Sequence, residues 1–330
     1  MKEVYDVETM INVFTYCGKD TKTLQESEFI IHRDRNDIDK LYDHLELLTG
    51  QIGFNNLSFD GQVIQFILNS KTQFAWMHVD EIIDEIYSFA QKCIQTSNSG
   101  GWSEFAEWTL KIPQLDLFKI WHFDNKAKMT SLKWIEYMID MHSIEEMPIH
   151  HSVPVSLEEV VNKIIPYNRH DVNATFEFYK ITKGDTELSL YKGVNKIELR
   201  KNISAEFGFN AMNFNDVKIG DMINKLSYCK LTGLHKKEIP SSTYVDRNLY
   251  FKDCFPEYMN FKTEKFQNFI HILGNTKVDF DKKQEFSIEH NGTTYIIAKG
   301  GIHSKDKGRC IIPTDKKNLR DADIGLMWSN

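Results

Sequence analysis

Two acidic residues, Asp6 and Glu8, stand two positions apart in a short apolar stretch near the amino terminus. The stretch begins at Val4 and reads as a β-strand, in which alternate residues point to the same face. The two carboxylates therefore repel each other, and a packed core offers nothing that offsets the repulsion. A hard divalent cation would turn the pair into a binding site. A solvated edge strand with two acids is the simpler alternative, so the pair needs support from elsewhere.

Strand and helix patterns alternate through the first 185 residues. Apolar spacing predicts three strands near the amino terminus and further strands at residues 51–55 and 115–118. We expect the helix capped by Ser156 to end near Pro166, before a longer helix at about 167–183. Strands interleaved with helices predict an α/β layer fold. The predicted helices of this region begin near residues 37, 60, 78, 131, 156 and 167.

Helical patterns continue in the second half, at residues 186–202 and 214–230, and Gly233 is a plausible end for the latter helix. Asn291-Gly292, flanked by two strand patterns, predicts a β-hairpin. A linker rich in proline or serine is absent from the sequence, so we place a soft domain boundary near residue 185. The expected domains are therefore residues 1–185 and 186–330.

Two further acids stand at the ends of predicted core elements. Asp60 opens a helix directly after a strand, and Asp171 lies on a late helix. Tyr167 precedes Asp171 by four positions, so the two side chains share one helix face. The resulting motifs are Asp6-x-Glu8, Asn55-x-x-x-Phe59-Asp60 and Tyr167-x-x-x-Asp171.

In their order and local contexts, these three motifs resemble those of the tyrosine subtype of the DEDD superfamily of 3′-to-5′ exonucleases. The resemblance implies a ribonuclease H-like α/β domain, with a mixed sheet flanked by helices, over residues 1–185. It also implies two bound ions, Mg²⁺ or Mn²⁺. Asp6 would bridge both ions, Glu8 and Asp171 would complete the water-activating site, Asp60 would hold the second ion and Tyr167 would orient the attacking water.

The neighbourhoods of the second and third motifs resemble more narrowly the proofreading domains of phage family B DNA polymerases, in the protein-primed branch. In that branch a Tyr-x-Gly-Gly segment contacts single-stranded template, and Gly300-Gly301 resembles it with Ala298 in place of the tyrosine. Residues 186–330 would then be a connecting region and a partial α+β polymerase palm. The segment from Asp323 departs from the palm motif at three positions, so we do not expect polymerisation by this chain alone.

Several residues are candidates for contact with the substrate. By the same resemblance, Thr9, Asn55 and Phe59 would hold the 3′ end, and Lys133 would match an auxiliary lysine of the branch. A turn, a packing position and an ordinary helix start explain Thr9, Phe59 and Lys133 equally simply. The aromatic series Trp102, Phe105 and Trp108 has helical spacing and is more typical of a core than of a base-stacking surface.

Composition narrows the class of protein. The 330 residues carry a net charge of −7, which argues against a protein that coats polyanions generally. Five scattered cysteines favour reduced thiols in a cytosol, and no apolar run approaches 18 residues, so we expect no membrane span. The resemblance places the protein in the cytoplasm of a phage-infected bacterial cell.

The resemblance predicts hydrolysis of DNA at single-stranded 3′ ends or primer-template junctions, with release of nucleoside 5′-monophosphates. Two interpretations of the second half stay open: a separate polypeptide supplies the rest of a split polymerase, or the end of the chain is altered. A stand-alone RNA-trimming nuclease of the same subtype is the alternative within the enzymes. A catalytically idle nucleic-acid-binding or polymerase-assembly module is the alternative of another class.

Overall fold

The computed structural model describes residues 1–125, 130–188, 190–239, 249–257, 259–279, 284–298 and 301–305. Contacts divide the chain into two compact units, Met1–Ile239 and Pro240–Asn330. Each unit has its own sheet. Among the described residues, no helix is both long enough and apolar enough to cross a membrane.

A mixed six-stranded sheet forms the centre of the first unit, in the order β4-β3-β2-β1-β5-β6. β1 lies inside the sheet and pairs antiparallel with β2 and parallel with β5. β6 extends the parallel side, and β3 and β4 extend the antiparallel side. The predicted α/β class is therefore confirmed. The strands are β1 Lys2–Met10, β2 Val13–Asp20, β3 Glu26–His32, β4 Arg35–Asn36, β5 Gly50–Gly53 and β6 Gln114–Asp116.

Helices cover both faces of this sheet. On one face Tyr5 and Val7 of β1 join a core with the first, second and fourth helices. On the other face Val4 and Met10 join a core with the eighth helix. Asp6 and Glu8 have the parity of Val4 and Met10, so both acids lie on the side of the eighth helix. The first eight helices are α1 Ile38–Glu46, α2 Asp60–Asn69, α3 Lys71–Phe74, α4 Val79–Asn98, α5 Leu117–Ile120, α6 Leu132–Met138, α7 Leu157–Glu159 and α8 Ile165–Thr182.

The chain enters α8 through an unusual turn. Ser156 and Glu159 form a capping box at the start of α7, and a π-helical turn, Val160–Ile164, connects α7 directly to α8. The predicted helix end near Pro166 is therefore wrong. Pro166 sits in the first turn of α8, where the fixed φ of proline fits a helix.

The first unit extends well past the boundary expected near residue 185. The fully buried Arg200 guanidinium donates to the Ile120 carbonyl at 3.1 Å, and the Asn213 amide donates to the Gln114 carbonyl at 2.9 Å. These bonds attach two further helices to the α/β unit, which ends at Ile239. The two helices are α9 Lys196–Phe207 and α10 Asp216–Thr232.

Helix ends in this region follow capping chemistry. The Asn195 side chain accepts from the first turn of α9, so this helix begins ten positions after the predicted start. Gly233 has a φ of 73° at the end of α10, which confirms the predicted end.

The second unit contains α11 Glu264–Gly274 and a three-stranded antiparallel sheet. Asn291 and Gly292, with φ of 51° and 79°, form the predicted hairpin turn. Gly301 begins the last strand opposite Ala298, whereas Gly300 and the segment from Asp323 lie outside the described residues. The strands are β7 Glu285–His290, β8 Thr293–Ala298 and β9 Gly301–Lys305.

Candidate active site

Three carboxylates from two elements meet at one place. Asp6 and Glu8 of β1 and Asp171 of α8 each offer an oxygen, and the three oxygens lie within 4.8 Å of one another. Strand alternation in β1 points Asp6 and Glu8 toward α8. The third sequence motif lies on this helix and supplies Asp171. Three carboxylate oxygens at this spacing are a donor set that suits a hard divalent cation such as Mg²⁺ or Mn²⁺.

Asp60 is brought to the same place by α2. It is the first residue of that helix, where a negative charge is favourable, and it is only 6% exposed. Its Oδ1 accepts from the backbone N–H of Val7 at 3.4 Å. Val7 separates Asp6 from Glu8, so the structure assembles all four acids that the sequence singled out.

Burial and mutual repulsion together raise the pKa values of these acids. Burial is the larger cause for Glu8, whose pKa rises to about 8, and for Asp60, whose pKa rises to about 7. The pKa of Asp6 is well above its ordinary value, because of burial and then the charges of Asp60 and Glu8. Burial also raises the pKa of Asp171, against the opposing effect of Lys133. Without a cation, this cluster holds protons at neutral pH.

One face of α8 supports the cluster. Burial and the charge of Asp171 raise the pKa of Tyr167, so its hydroxyl stays protonated and can donate a hydrogen bond. Asn168 donates from Nδ2 to Asp6 Oδ2 at 2.5 Å and accepts from the Thr15 hydroxyl at 3.5 Å. Sequence reasoning missed Asn168, although its place three positions before Asp171 was the available signal.

Lys133 brings a positively charged side chain to the cluster. Ser131 caps α6, and Lys133 in the first turn of this helix donates to Asp171. Its ammonium also lies 4.6 Å from the centre of the Tyr167 ring. Burial lowers the pKa of Lys133, but the hydrogen bonds and charges of Asp171 and Glu136 together outweigh it and the net pKa is raised. One positive charge thus contacts two of the predicted catalytic residues.

A buried carboxylate that the sequence did not single out holds the loop before Asp60. The backbone N–H groups of Asn55 and Leu57 donate to Asp116 at 3.0 and 3.3 Å, and Asn55 has a φ of 62°. The predicted strand 115–118 is too long, because the Asp116 side chain also caps α5 by accepting from Phe118 N. An acid within an apolar strand pattern was the signal for this role.

Asp116→Ala is expected to destabilise the protein, because the variant leaves buried N–H groups of the 55–57 loop without an acceptor. Each such group costs about 1–3 kcal/mol of unfolding free energy. Asp116→Asn keeps one acceptor oxygen and should fall between the alanine variant and the wild type. Urea denaturation measures all three proteins. A loss below about 0.5 kcal/mol for Asp116→Ala would contradict this role of the carboxylate.

The predicted substrate-contact residues lie around the cluster in different ways. Thr9 is buried and, by strand alternation, on the face of β1 opposite to Asp6 and Glu8. Phe59 is the residue before α2 and packs partly buried against the core. Asn55 is half-buried in the loop that Asp116 holds.

The expectation that Trp102, Phe105 and Trp108 form a core is wrong for both tryptophans. Trp102 is 95% exposed and Trp108 is 87% exposed, while Phe105 stacks on Phe89 with ring centres 5.8 Å apart. Helical spacing misled because only Glu107–Thr109 of this segment forms a helical turn. A base-stacking surface is the alternative interpretation of the two tryptophans.

The cluster thus places four acids, a lysine and a protonated tyrosine side by side. Such a set can hold divalent cations while an ammonium and a hydroxyl stand beside them. No family model matches this chain, and no curated protein or solved structure matches it either.

Proposed function

We propose that this chain is a metal-dependent 3′-to-5′ exonuclease that removes nucleotides from DNA 3′ ends and releases nucleoside 5′-monophosphates. The observation that carries the proposal is the approach of Asp6, Glu8 and Asp171 within 4.8 Å, with Asp60 alongside. A folded protein gains nothing from burying repelling carboxylates unless they bind something positive. The mixed sheet flanked by helices is compatible with a ribonuclease H-like domain.

Asp6, Glu8, Asp60 and Asp171 would hold two ions, Mg²⁺ or Mn²⁺, which when bound activate water and stabilise the leaving oxygen. The chain fixes these ligands through their neighbours. Asn168 orients the Asp6 carboxylate, and the Val7 N–H orients Asp60. Such partners restrict each ligand to one orientation and so improve both metal affinity and reactivity.

Tyr167 and Lys133 act on the reacting groups directly in this proposal. The protonated Tyr167 hydroxyl orients the attacking water by hydrogen bonding. The Lys133 ammonium offsets negative charge beside Asp171, where a phosphate must approach. The terminal nucleotide must reach a cluster in which Asp6 and Glu8 are half-buried and Asp60 and Asp171 are buried. It must therefore enter unpaired, so single-stranded or frayed ends are preferred.

DNA is the preferred substrate class because the motif neighbourhoods resemble those of phage DNA polymerases. In this proposal Asn55, Phe59 and Thr9 hold the terminal nucleotide, and the second unit belongs to a polymerase palm region. A separate polypeptide with the remaining polymerase motifs would be the partner. The contact of Gly300 and Gly301 with the template strand belongs to the same proposal.

The proposal is tested with a 5′-labelled single-stranded DNA oligonucleotide and an RNA of the same sequence, each with Mg²⁺ or Mn²⁺. We expect a DNA ladder that shortens from the 3′ end and stops when EDTA removes the metal. A blunt duplex should be degraded more slowly than the single strand.

Other outcomes identify the alternatives. Shortening of RNA alone would replace the proposal with an RNA-trimming nuclease. No ladder with either strand, together with no Mn²⁺ binding at millimolar concentration, would leave an idle binding or assembly module. Direct Mn²⁺ titration distinguishes two kinds of inactive protein: one that cannot bind the metal, and one that binds the metal but was not given its substrate.

A further inference from the structure

Glu136 lies next to the carboxylate cluster and is fully buried, and it has no role in the reaction proposed above. Its Oε1 accepts from the Lys133 ammonium at 3.2 Å, and its Oε2 is hydrogen-bonded to His170 Nε2 at 3.0 Å. Both carboxylate oxygens therefore have a partner, as a buried carboxylate requires. On the outer side, His170 Nδ1 lies 3.8 Å from the half-exposed Glu145.

Lys133 is shared between two carboxylates. Its ammonium contacts Asp171, which belongs to the carboxylate cluster, and Glu136, which does not. Oxygens of Glu136 and Asp171 and a nitrogen of His170 lie within 4.8 Å of one another. A small movement of the lysine side chain can thus exchange one carboxylate for the other.

This sharing matters because two cations seek the same oxygen atoms. The Lys133 ammonium and a divalent ion both favour the Asp171 carboxylate, and they repel each other at such distances. With Asp171 as its only partner, Lys133 would compete with the ion at full strength. Glu136 gives the ammonium a second anchor that leaves it beside Tyr167.

We propose that Glu136 is a positioning residue that takes up the Lys133 ammonium and so frees Asp171 for a divalent cation. The inference rests on the proposed function, since it requires a metal centre at Asp6, Glu8 and Asp171. It adds a residue outside all three motifs, fixed in place by His170. In this inference Glu136 acts through Lys133, to which it is hydrogen-bonded, and not as a ligand of the metal.

The test is a double-mutant cycle on Mn²⁺ affinity, measured by titration calorimetry without DNA. Glu136→Gln keeps the shape of the side chain and should weaken Mn²⁺ binding about tenfold, as loss of a partner outside the ligand sphere does. Lys133→Met should tighten binding, because the competing charge is gone. In the Lys133→Met background, Glu136→Gln should change affinity by roughly twofold or less.

Glu145→Gln is the matched control, because it removes the same charge nearby without contact to Lys133, and it should leave Mn²⁺ affinity unchanged. Melting curves establish that each variant is folded, and Lys133→Gln replaces Lys133→Met in the cycle if the latter does not fold. If Glu136→Gln weakened Mn²⁺ binding by the full tenfold in the Lys133→Met background, the inference about Glu136 would be overturned and the proposed function would stand. Wild-type protein that binds no Mn²⁺ would overturn the proposed function and the inference together.

Discussion

Asp6→Asn is expected to remove exonuclease activity and to raise the melting temperature of the metal-free protein. The lost metal ligand is worth several kcal/mol in the transition state, or at least about 10³-fold in rate. The same change removes a desolvated carboxyl group, which the metal-free fold must either keep protonated or hold charged against the repulsion of Asp60 and Glu8. The amide oxygen that replaces the carboxylate can still accept from Asn168, so the fold is kept.

Activity and stability therefore move in opposite directions, which a merely misfolded variant cannot reproduce. The melting temperature should rise by about 2–4 °C for each kcal/mol of repulsion removed. Initial rates on single-stranded DNA and melting curves in EDTA measure the two effects. A loss of activity accompanied by a lower melting temperature would count against a metal-binding role for Asp6.

Asp20→Asn is the matched control, because Asp20 is buried in the same sheet but has a structural role. It accepts from the backbone N–H groups of Lys22 and Thr23 at 2.8 and 2.7 Å. The hydrogen bond from the Thr23 N–H is the main cause of its lowered pKa, so its charge stabilises the fold. The control should melt at a lower temperature and keep full activity.

In the metal-free protein, stability is expected to fall as the pH rises from about 5 to about 9. The folded chain holds protons on Glu8, with a pKa of about 8, and on Asp60, with a pKa of about 7. The unfolded chain releases these protons near the ordinary values of 4.5 and 3.8. The stabilisation present at acidic pH is therefore lost as the pH passes through the raised values.

Saturating Mg²⁺ should abolish or reverse this pH dependence, because the ion binds the deprotonated carboxylates and their repulsion becomes attraction. Thermal denaturation in EDTA and in Mg²⁺, in matched buffers between those pH limits, measures both slopes. Asp6→Asn should flatten the slope in EDTA. A metal-free melting temperature that rises across this range would show that the carboxylates are not held protonated by the fold.

The sequence located the four acids of the cluster but not the residues that orient them. The four acids lie on, or at the ends of, strands and helices whose patterns are visible in the sequence; they are Asp6, Glu8, Asp60 and Asp171. Their supporting partners depend on contacts between distant parts of the chain: Asn168 bonds to Asp6 across 162 positions, and Asp116 bonds to Asn55 across 61. A local periodicity carries no information about such pairs.

Element boundaries failed where tertiary contacts outweighed local preference. Pro166 was expected to end a helix. Instead, the π-helical turn before it continues into α8, and Pro166 lies in the first turn of that helix. The soft boundary near residue 185 falls inside the first unit, because Arg200 is buried against a carbonyl from α5. The α/β class was predictable because it depends on alternating patterns alone.

The π-helical turn Val160–Ile164 sets the rotational phase of α8. Such a turn holds one residue more than an α-helix would, and each residue rotates a helix by about 100°. Before the π-helical turn, Val155 is hydrogen-bonded to Asn12, which follows β1 in the chain. After the turn, Asp171 lies beside Asp6 and Glu8 of β1 itself. A one-residue deletion between those two anchor points would rotate Asp171 out of the cluster without removing any of the four acids. The length of this segment is therefore as important for the geometry of the cluster as the identity of the acids.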